Sequence, residues 1–448
     1  MTQFDLVVHG GQVVTPAGAL AIDIGVKDGR IAALGQLAPE RAAEAVDANG
    51  LFVLPGIIDT QVHFREPGLT HKEDLDTGTR AAVLGGVTSI FEMPNTSPLT
   101  LTAAELQAKF DRARGRAWCD HAFFIGGSAE NVDNLRMLER IPGCAGVKVF
   151  MGSSTGTLLV EDDPTLERIV AGGTRRMAVH AEDEPRLKER RHIAEEAKHP
   201  RAHPLWRDEI VCLKATQRLL GLARKHGRRV HVLHVTTAEE MELLAANKDL
   251  ATVEVTPNHL TLVAPDCYER LGARAQMNPP VREARHQAAL WRAIADGVVD
   301  VIGSDHAPHT LEEKSKTYPA TPSGMPGVQT TLPLLLTAAA NGKLSLERVV
   351  DLLCHGPQRI YQIAGKGRIA RGYDADLCLV DLQSWATLED AKMGTKVKWT
   401  PFAGMRVVGV PRPTILRGKV IMRDGEVLGP PQGQPVRFAE TIPPEPRD

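Results

Sequence analysis

The length and composition of the chain are those of an ordinary folded protein. It has 448 residues, 43% hydrophobic and 24% charged, which excludes a disordered or low-complexity protein. Lysine and arginine number 53 against 55 aspartate and glutamate, so charge gives no case for a nucleic-acid or membrane partner. No apolar run reaches the ~20 residues that span a bilayer. The six scattered cysteines indicate reduced thiols, and we expect a cytoplasmic protein.

Short strand-like segments occupy both ends of the chain. They are separated by turn signals such as Asp28-Gly29 near the start and Asp424-Gly425 near the end. We therefore predict one small β-sandwich-like domain that both termini build, from residues 1–55 plus 365–448. The proline-rich stretch from Pro430 is expected to be loosely ordered.

The middle of the chain, residues 56–364, alternates strand and helix patterns. Amphipathic helices are predicted at 206–226 and 284–296. The predicted strands are Ile57–His63, Thr88–Met93, His121–Ile125, Val147–Phe150, Met177–His180, Val230–His234, Thr252–Val255 and Val299–Gly303. Eight strands with helices between them favour a (β/α)₈ barrel over an open doubly wound sheet, because chemically capable residues end many different strands.

Candidate metal ligands follow five of these strands. A lone histidine at a strand end is more often a hydrogen-bonded structural residue, but several that converge on one barrel mouth indicate a metal site. The candidates are Gln61, His63, Lys148, His180, His234 (with His231 as the alternative on the same strand) and Asp305. An ammonium cannot bind a cation, so a lysine paired with an acid is the simpler interpretation of Lys148. Only a carbamate would make this lysine a ligand.

An ordered series of motifs resembles the cyclic amidohydrolases of the amidohydrolase superfamily, and most closely the dihydroorotase family. Each motif alone is a weak or moderate signal, whereas the ordered combination is specific and extends over nearly the whole chain. The motifs are Pro55–Asp59, His63–Gly68, Gly86–Thr88, Glu92–Thr96, Lys148–Gly152, His180–Glu182, His234–Thr236, Met277–Arg282, Gly303–His309 and Gly372–Leu377.

The resemblance implies a distorted barrel with zinc at the strand ends and a carboxylated Lys148 that bridges two metals. It assigns His63 and Asp305 to one metal and His180 and His234 to the other. The family usually has histidine where this chain has Gln61, and a neutral amide binds zinc poorly. We therefore expect one firmly bound zinc and a weaker second position.

The resemblance also implies the reaction. Zinc lowers the pKa of bound water to about 7, and Asp305 is expected to pass the proton to the leaving nitrogen. Arg65 lies two residues after His63, on the same face, and guanidinium pairs with carboxylates. A surface arginine that covers helix ends is the alternative. The family pattern gives substrate binding to Arg65, Asn95, Asn278 and His309, and implies interconversion of dihydroorotate and N-carbamoyl-aspartate in pyrimidine synthesis.

Two other functions stay open at this point. Allantoinase or dihydropyrimidinase is the alternative in the same class, although their substrates carry no ring carboxylate. An inactive scaffold for aspartate transcarbamoylase is the alternative of another class, which only Gln61 favours. We expect a small-molecule substrate and a homo-oligomer, with association with aspartate transcarbamoylase left open. Residues 309–323 form either a mobile lid or a solvated loop, and the charged run favours the loop.

Overall fold

Eight parallel strands form a barrel in strict chain order. The computed structural model describes residues 3–154 and 156–442. The barrel strands, numbered β1 to β8, are Ile57–Val62, Val87–Glu92, Asp120–Gly126, Cys144–Phe150, Met177–His180, Val230–Val232, Ala251–Val255 and Val301–Ile302. A parallel bridge between Val62 and His306 brings the last strand beside the first. The predicted barrel is therefore confirmed, and the open sheet is excluded.

Helices cover the outside of the barrel, and aspartates start several of them. The longer helices are Leu75–Leu84, Ala103–Ala113, Asp163–Ala171, Glu184–Ala197, Glu209–His226, Ala238–Ala245, Ala284–Ala295 and Thr331–Ala340. The shorter ones are Leu135–Leu138, His203–Trp206, Pro257–Thr261, Asp266–Leu271, Leu311–Lys314, Leu346–Val350 and Gly356–Tyr361. Asp74, Asp162, Asp183 and Asp208 each accept a hydrogen bond from a backbone N–H of the first turn, which satisfies a donor that has no partner within the helix.

Both chain termini contribute to the remaining sheets. A seven-stranded sheet contains, in order, Glu426–Val427, Lys419–Arg423, Pro411–Leu416, Leu377–Val380, Phe52–Pro55, Gln12–Thr15 and Gly18–Ala21. A four-stranded sheet contains Arg30–Gly35, Asp23–Lys27, Phe4–His9 and Ala42–Asp47, and Trp385–Thr387 pairs with Arg406–Val408. Apolar side chains from both larger sheets, including Leu6, Ile24 and Leu379, form one core. The predicted small sandwich is confirmed, while its exact boundaries stay a prediction.

Three predicted elements differ from the structure at their ends. The sixth strand stops at Val232, because His234 adopts a left-handed φ of 37° that a strand does not accommodate. The eighth strand contains only Val301–Ile302. The helix predicted from residue 206 is divided, because Asp208 accepts from the N–H of Val211 and starts a new helix.

The expectation of a loosely ordered stretch after Pro430 is wrong for residues 430–442. Pro435 forms a parallel bridge with His121, and the N–H of Val436 donates to the His121 carbonyl. Phe438 is fully buried, with its ring 5.5 Å from that of Phe91 inside the barrel. This segment therefore fills the amino-terminal end of the barrel. Residues 443–448 lie outside the described part of the chain.

Two further sequence expectations concern whole segments. Within 309–323, Leu311–Lys314 is a short helix with a capping box, and the buried Lys314 ammonium donates to two carbonyls. The expectation of a solvated loop is thus wrong for this part of the segment. All six cysteines are buried and free. Within 3–154 and 156–442, no helix is long and apolar enough to cross a membrane.

Truncation of Phe438 tests the role of the carboxyl-terminal segment. We expect Phe438→Ala to lower the free energy of unfolding by about 3–5 kcal/mol, because it leaves a cavity beside Phe91. Chemical denaturation measures this change. Leu428→Ala, at a partly exposed position, is the control and should change stability by less than about 0.5 kcal/mol. Equal effects of the two substitutions would contradict this packing role.

Candidate active site

The carboxyl ends of the barrel strands form one cavity. Strand β1 supplies Gln61 and leads directly to His63, β4 supplies Lys148, β5 ends in His180, and short turns after β6 and β8 supply His234 and Asp305. The residues that line the cavity are Gln61, His63, Arg65, Asn95, Phe150, Ser154, His180, His234, Asn278, Asp305, Ala307, Ser323 and Gly324. Barrel topology brings Gln61 within hydrogen-bond distance of Asp305, which follows it by 244 residues in the chain.

His63 and Asp305 form the first pair of candidate ligands. His63 Nδ1 lies 2.8 Å from Asn95 Oδ1, so Nδ1 carries the hydrogen and Nε2 is left with its lone pair. That Nε2 lies 3.3 Å from Asp305 Oδ1. Burial lowers the pKa of His63 although Asp305 raises it, which favours the neutral ring. Two acceptors then face each other, and this arrangement fits a shared cation.

His180 and His234 form the second pair. His180 Nε2 is hydrogen-bonded to Glu182 Oε2 at 2.9 Å, so Nδ1 presents its lone pair to His234 Nε2, 3.0 Å away. Burial raises the pKa of Glu182, but Arg207 and His180 outweigh burial and hold it well below its usual range. Two nitrogen ligands of one tetrahedral zinc are separated by about 3.3 Å, close to the distance found here.

Lys148 is buried next to both pairs. Its Nζ has no hydrogen-bond partner among the described residues and lies 4.4 Å from the centre of the Phe150 ring. Burial lowers the pKa of this ammonium to about 7, against the opposing charges of Asp305 and Glu254. A buried amine with no acid partner is costly. The structure therefore does not supply the acid that the simpler interpretation of Lys148 requires.

Gln61 is oriented by Asp305. Its Nε2 donates to Asp305 Oδ1 at 3.0 Å, and its Oε1 is buried without a hydrogen-bond partner in the described chain. The amide orientation follows from the carboxylate, which can only accept. Gln61 therefore holds Asp305, and only its weakly coordinating carbonyl oxygen is left for a metal.

These donors fit a metal, although they form no ready cluster of three His, Cys, Asp or Glu side chains anywhere in 3–154 and 156–442. Instead they form two pairs at ligand-like separations, and the unpaired Lys148 lies beside them. Lys148 is the residue whose modification would complete either pair with a third ligand. The donor chemistry, imidazole and carboxylate, is that of zinc sites.

Strained backbone holds three of the predicted site residues. Arg65, His234 and Asp305 have left-handed φ angles of 65°, 37° and 46°, a region that non-glycine residues rarely adopt. Such conformations persist only where surrounding structure enforces them, and they concentrate at functional sites. The turns that follow β1, β6 and β8 thereby aim these side chains into the cavity.

Arg65 lies on the cavity wall as a buried cation. Its Nε donates to the Pro308 carbonyl at 3.3 Å, and one terminal nitrogen lies 3.2 Å from His309 Nε2. Within the described chain no carboxylate lies within salt-bridge distance of it. Burial lowers its pKa to about 10 although more distant acids such as Glu92 raise it. The guanidinium is therefore charged at neutral pH, and no acid among the described residues pairs with it directly.

The other three predicted substrate-binding residues lie around the same cavity. Asn95 lines it and contacts His63, while Asn278 lines it with Oδ1 2.9 Å from His203 Nε2. His309 is fully buried behind Arg65. The structure thus brings all ten predicted site residues to one end of the barrel.

Comparison with known proteins gives the family. Residues 52–421 match the amidohydrolase family. A dihydroorotase of Methanothermobacter thermautotrophicus is 35% identical over 412 residues, which cover 91% of this chain and 93% of the relative. The chain belongs to the amidohydrolase family. Within that family it is an enzyme of the cyclic amide type, related to dihydroorotases.

Other cyclic amidohydrolases are similar over the same length. An allantoinase of Streptomyces avermitilis is 34% identical over 450 residues, covering 96% of this chain and 98% of the relative. The solved structure of an L-hydantoinase (dihydropyrimidinase) from Arthrobacter aurescens has a TM-score of 0.92 at 32% identity, covering 97% of this chain and all of that one. Members of this family are generally metal-dependent and act on small molecules.

Sequence reasoning missed several residues of this amidohydrolase site. Glu182 orients His180, and its position two residues later in the same motif could have indicated this. Lys72 Nζ lies 3.0 Å from His309 Nδ1. The two residues are 237 positions apart in the chain, so no local sequence pattern predicts this contact. Glu254 is buried under the site, where burial raises its pKa to about 8. Glu254 lies in strand β7, and the sequence pattern does not distinguish it from the other buried positions of that strand.

Proposed function

We propose that this amidohydrolase is a zinc-dependent dihydroorotase that interconverts dihydroorotate and N-carbamoyl-aspartate. The observation that carries the proposal is Arg65, a buried guanidinium on the cavity wall that has no carboxylate within salt-bridge distance in residues 3–154 and 156–442. An unpaired buried cation is costly, and a carboxylate on the substrate would offset that cost when it binds.

The ring carboxylate separates the candidate substrates. Dihydroorotate carries one beside its cyclic amide, whereas allantoin and dihydrouracil do not. A guanidinium binds a carboxylate through two parallel hydrogen bonds, which gives both affinity and orientation. Arg65 follows His63 by two residues, so a carboxylate held by Arg65 would place the attached ring next to the candidate metal ligands. The relation to dihydroorotases supports the same assignment.

In the proposed reaction, one part of the chemistry belongs to the metal and the rest to side chains of the protein. Bound zinc would lower the pKa of a water and polarise the ring carbonyl. Asp305 takes the proton of the attacking water and returns it to the ring nitrogen as the amide bond breaks. Gln61 holds Asp305 by the 3.0 Å hydrogen bond, and Asn95 fixes the ring of His63. Carboxylation of Lys148 would supply a negatively charged third ligand beside the two pairs.

Three further expectations from the sequence are supported by no contact in the described part of the structure. A cytoplasmic location, a homo-oligomer and association with aspartate transcarbamoylase stay predictions. The inactive scaffold is set aside, because the chain belongs to an enzyme family and keeps Lys148, Asp305 and all three candidate histidines.

Removal of the Arg65 charge tests the proposed substrate. We expect Arg65→Met to lower kcat/KM for dihydroorotate by about 10- to 150-fold, since a hydrogen bond to a charged group contributes about 1.5–3 kcal/mol. Steady-state kinetics of the metal-loaded enzyme measures this loss. The unmodified enzyme should turn over dihydroorotate in preference to allantoin and dihydrouracil.

The controls separate substrate recognition from folding. Zinc content and the melting temperature of Arg65→Met should match the unmodified enzyme, and Arg112→Met, a half-exposed arginine, should keep full activity. Near-normal kcat/KM for dihydroorotate in Arg65→Met, or faster turnover of allantoin by the unmodified enzyme, would contradict the proposal.

The number of metals is expected to depend on Gln61. One zinc should be retained firmly by His180, His234 and the carboxylated Lys148, with a partial second one at His63 and Asp305. Replacing the amide by imidazole in Gln61→His should raise the bound zinc toward two per chain, because zinc prefers imidazole to carboxamide. Elemental analysis after mild chelation measures both. Two equally retained zinc ions in the unmodified protein would contradict this expectation.

Carboxylation of Lys148 is tested by chemical rescue. Lys148→Ala should lose zinc and activity, and a short carboxylic acid should restore part of both by occupying the place of the carbamate. Lys148→Arg keeps a cation but cannot be carboxylated, so it should be inactive and resist rescue. Full zinc content and activity in Lys148→Ala without added acid would show that the carbamate is not required.

A further inference from the structure

The imidazole of His309 is enclosed by groups of fixed hydrogen-bonding character. Its Nδ1 lies 3.0 Å from the ammonium of Lys72. Its Nε2 lies 3.0 Å from the Ser323 carbonyl oxygen and 3.2 Å from a terminal nitrogen of Arg65. Burial, and next the charge of Arg65, hold the pKa of His309 well below its usual value. The ring is therefore neutral, with one N–H and one lone pair.

Two cations compete for that single lone pair. An ammonium and a guanidinium can only donate, whereas a carbonyl oxygen can only accept. A hydrogen on Nδ1 would face the Lys72 ammonium at 3.0 Å and leave Nε2 facing the Ser323 oxygen, lone pair to lone pair. With the hydrogen on Nε2, His309 accepts from Lys72 through Nδ1 and donates to the Ser323 carbonyl through Nε2. Arg65 is then the one neighbour that has no hydrogen bond to the ring. Glu313 Oε2 lies 3.8 Å from Nδ1, too far to hold a hydrogen there.

The tautomer decides what the cavity offers to an anion. With the hydrogen on Nε2, His309 donates on the side where Arg65 lies, and the two side chains present N–H groups to one region. With the hydrogen on Nδ1, His309 would accept from Arg65 and remove a donor from the anion site. Ser323 and Arg65 both line the cavity, so an acceptor on a ligand can take the place of the Ser323 carbonyl.

We propose that Lys72 is a positioning residue that holds His309 in the Nε2–H tautomer, so that His309 and Arg65 donate together to the substrate carboxylate. This inference rests on the proposed function for the identity of the anion. The tautomer itself follows from the contacts of the free protein.

Lys72 is itself held in place. Its ammonium lies 2.9 Å from Glu313 Oε1, which balances its charge. Glu313 belongs to the capping box that it forms with Thr310 at the start of the Leu311–Lys314 helix. The backbone of His309 is held separately, because Trp399 Nε1 donates to the His309 carbonyl at 2.8 Å. Loss of the Lys72 ammonium should therefore change the tautomer of His309 more than its position.

Kinetics of Lys72 variants tests the positioning role. We expect Lys72→Met to raise KM for dihydroorotate about tenfold with kcat changed less than threefold, because the Nδ1–H tautomer of His309 then prevails and its donor to the carboxylate is lost. Lys72→Arg keeps a donor and should recover most of the affinity. Lys396→Met is the matched control, since Lys396 anchors the same loop through the Thr70 carbonyl at 2.8 Å without contacting His309. Its KM should stay within about twofold.

Nitrogen NMR of histidine-labelled protein reads the tautomer without any substrate. His309→Gln identifies the signal, which should show a protonated Nε2 in the unmodified protein and in Lys72→Arg, and a changed ratio of tautomers in Lys72→Met. A protonated Nδ1 in the unmodified protein, or an unchanged signal and KM in Lys72→Met, would overturn the inference. Absence of dihydroorotate turnover alongside a protonated Nε2 would instead contradict the proposed function.

Discussion

The charge of Arg65 is the constraint around which the substrate side of the cavity is arranged. A guanidinium that is 2% exposed would ordinarily be paired with a carboxylate. Here the backbone around it is strained, and its contacts are a carbonyl oxygen and an imidazole nitrogen. Among the described residues no carboxylate pairs directly with this cation, and under the proposed function the substrate carboxylate would pair with it.

The metal side of the cavity has the opposite imbalance. His63 Nε2 and Asp305 Oδ1 are acceptors that face each other, and the lone pair of His180 Nδ1 points toward His234 Nε2. Cations satisfy such arrangements, whereas a carboxylate ligand satisfies Arg65. A cyclic amide with a ring carboxylate matches both halves, since its amide would lie near the metal ligands while its carboxylate contacts Arg65.

Barrel topology explains why much of the fold and site could be predicted. The positions of His63, Lys148 and His180 at strand ends follow from strand patterns alone, because all parallel strands end at the same rim. Contacts that join distant loops could not be predicted this way. Lys72 reaches His309, and Trp399 reaches the same residue from the terminal part of the chain, through spatial proximity that no periodicity encodes. The burial of Phe438 was missed for the same reason.

A crystal structure of the metal-loaded enzyme with N-carbamoyl-aspartate would test the central claim most directly. We expect Arg65 to bind a carboxylate of the ligand through two nitrogens at about 2.7–2.9 Å, with the His309 Nε2–H directed at the same group. A ligand whose carboxylates lie elsewhere, while Arg65 keeps only its contacts with Pro308 and His309, would contradict it.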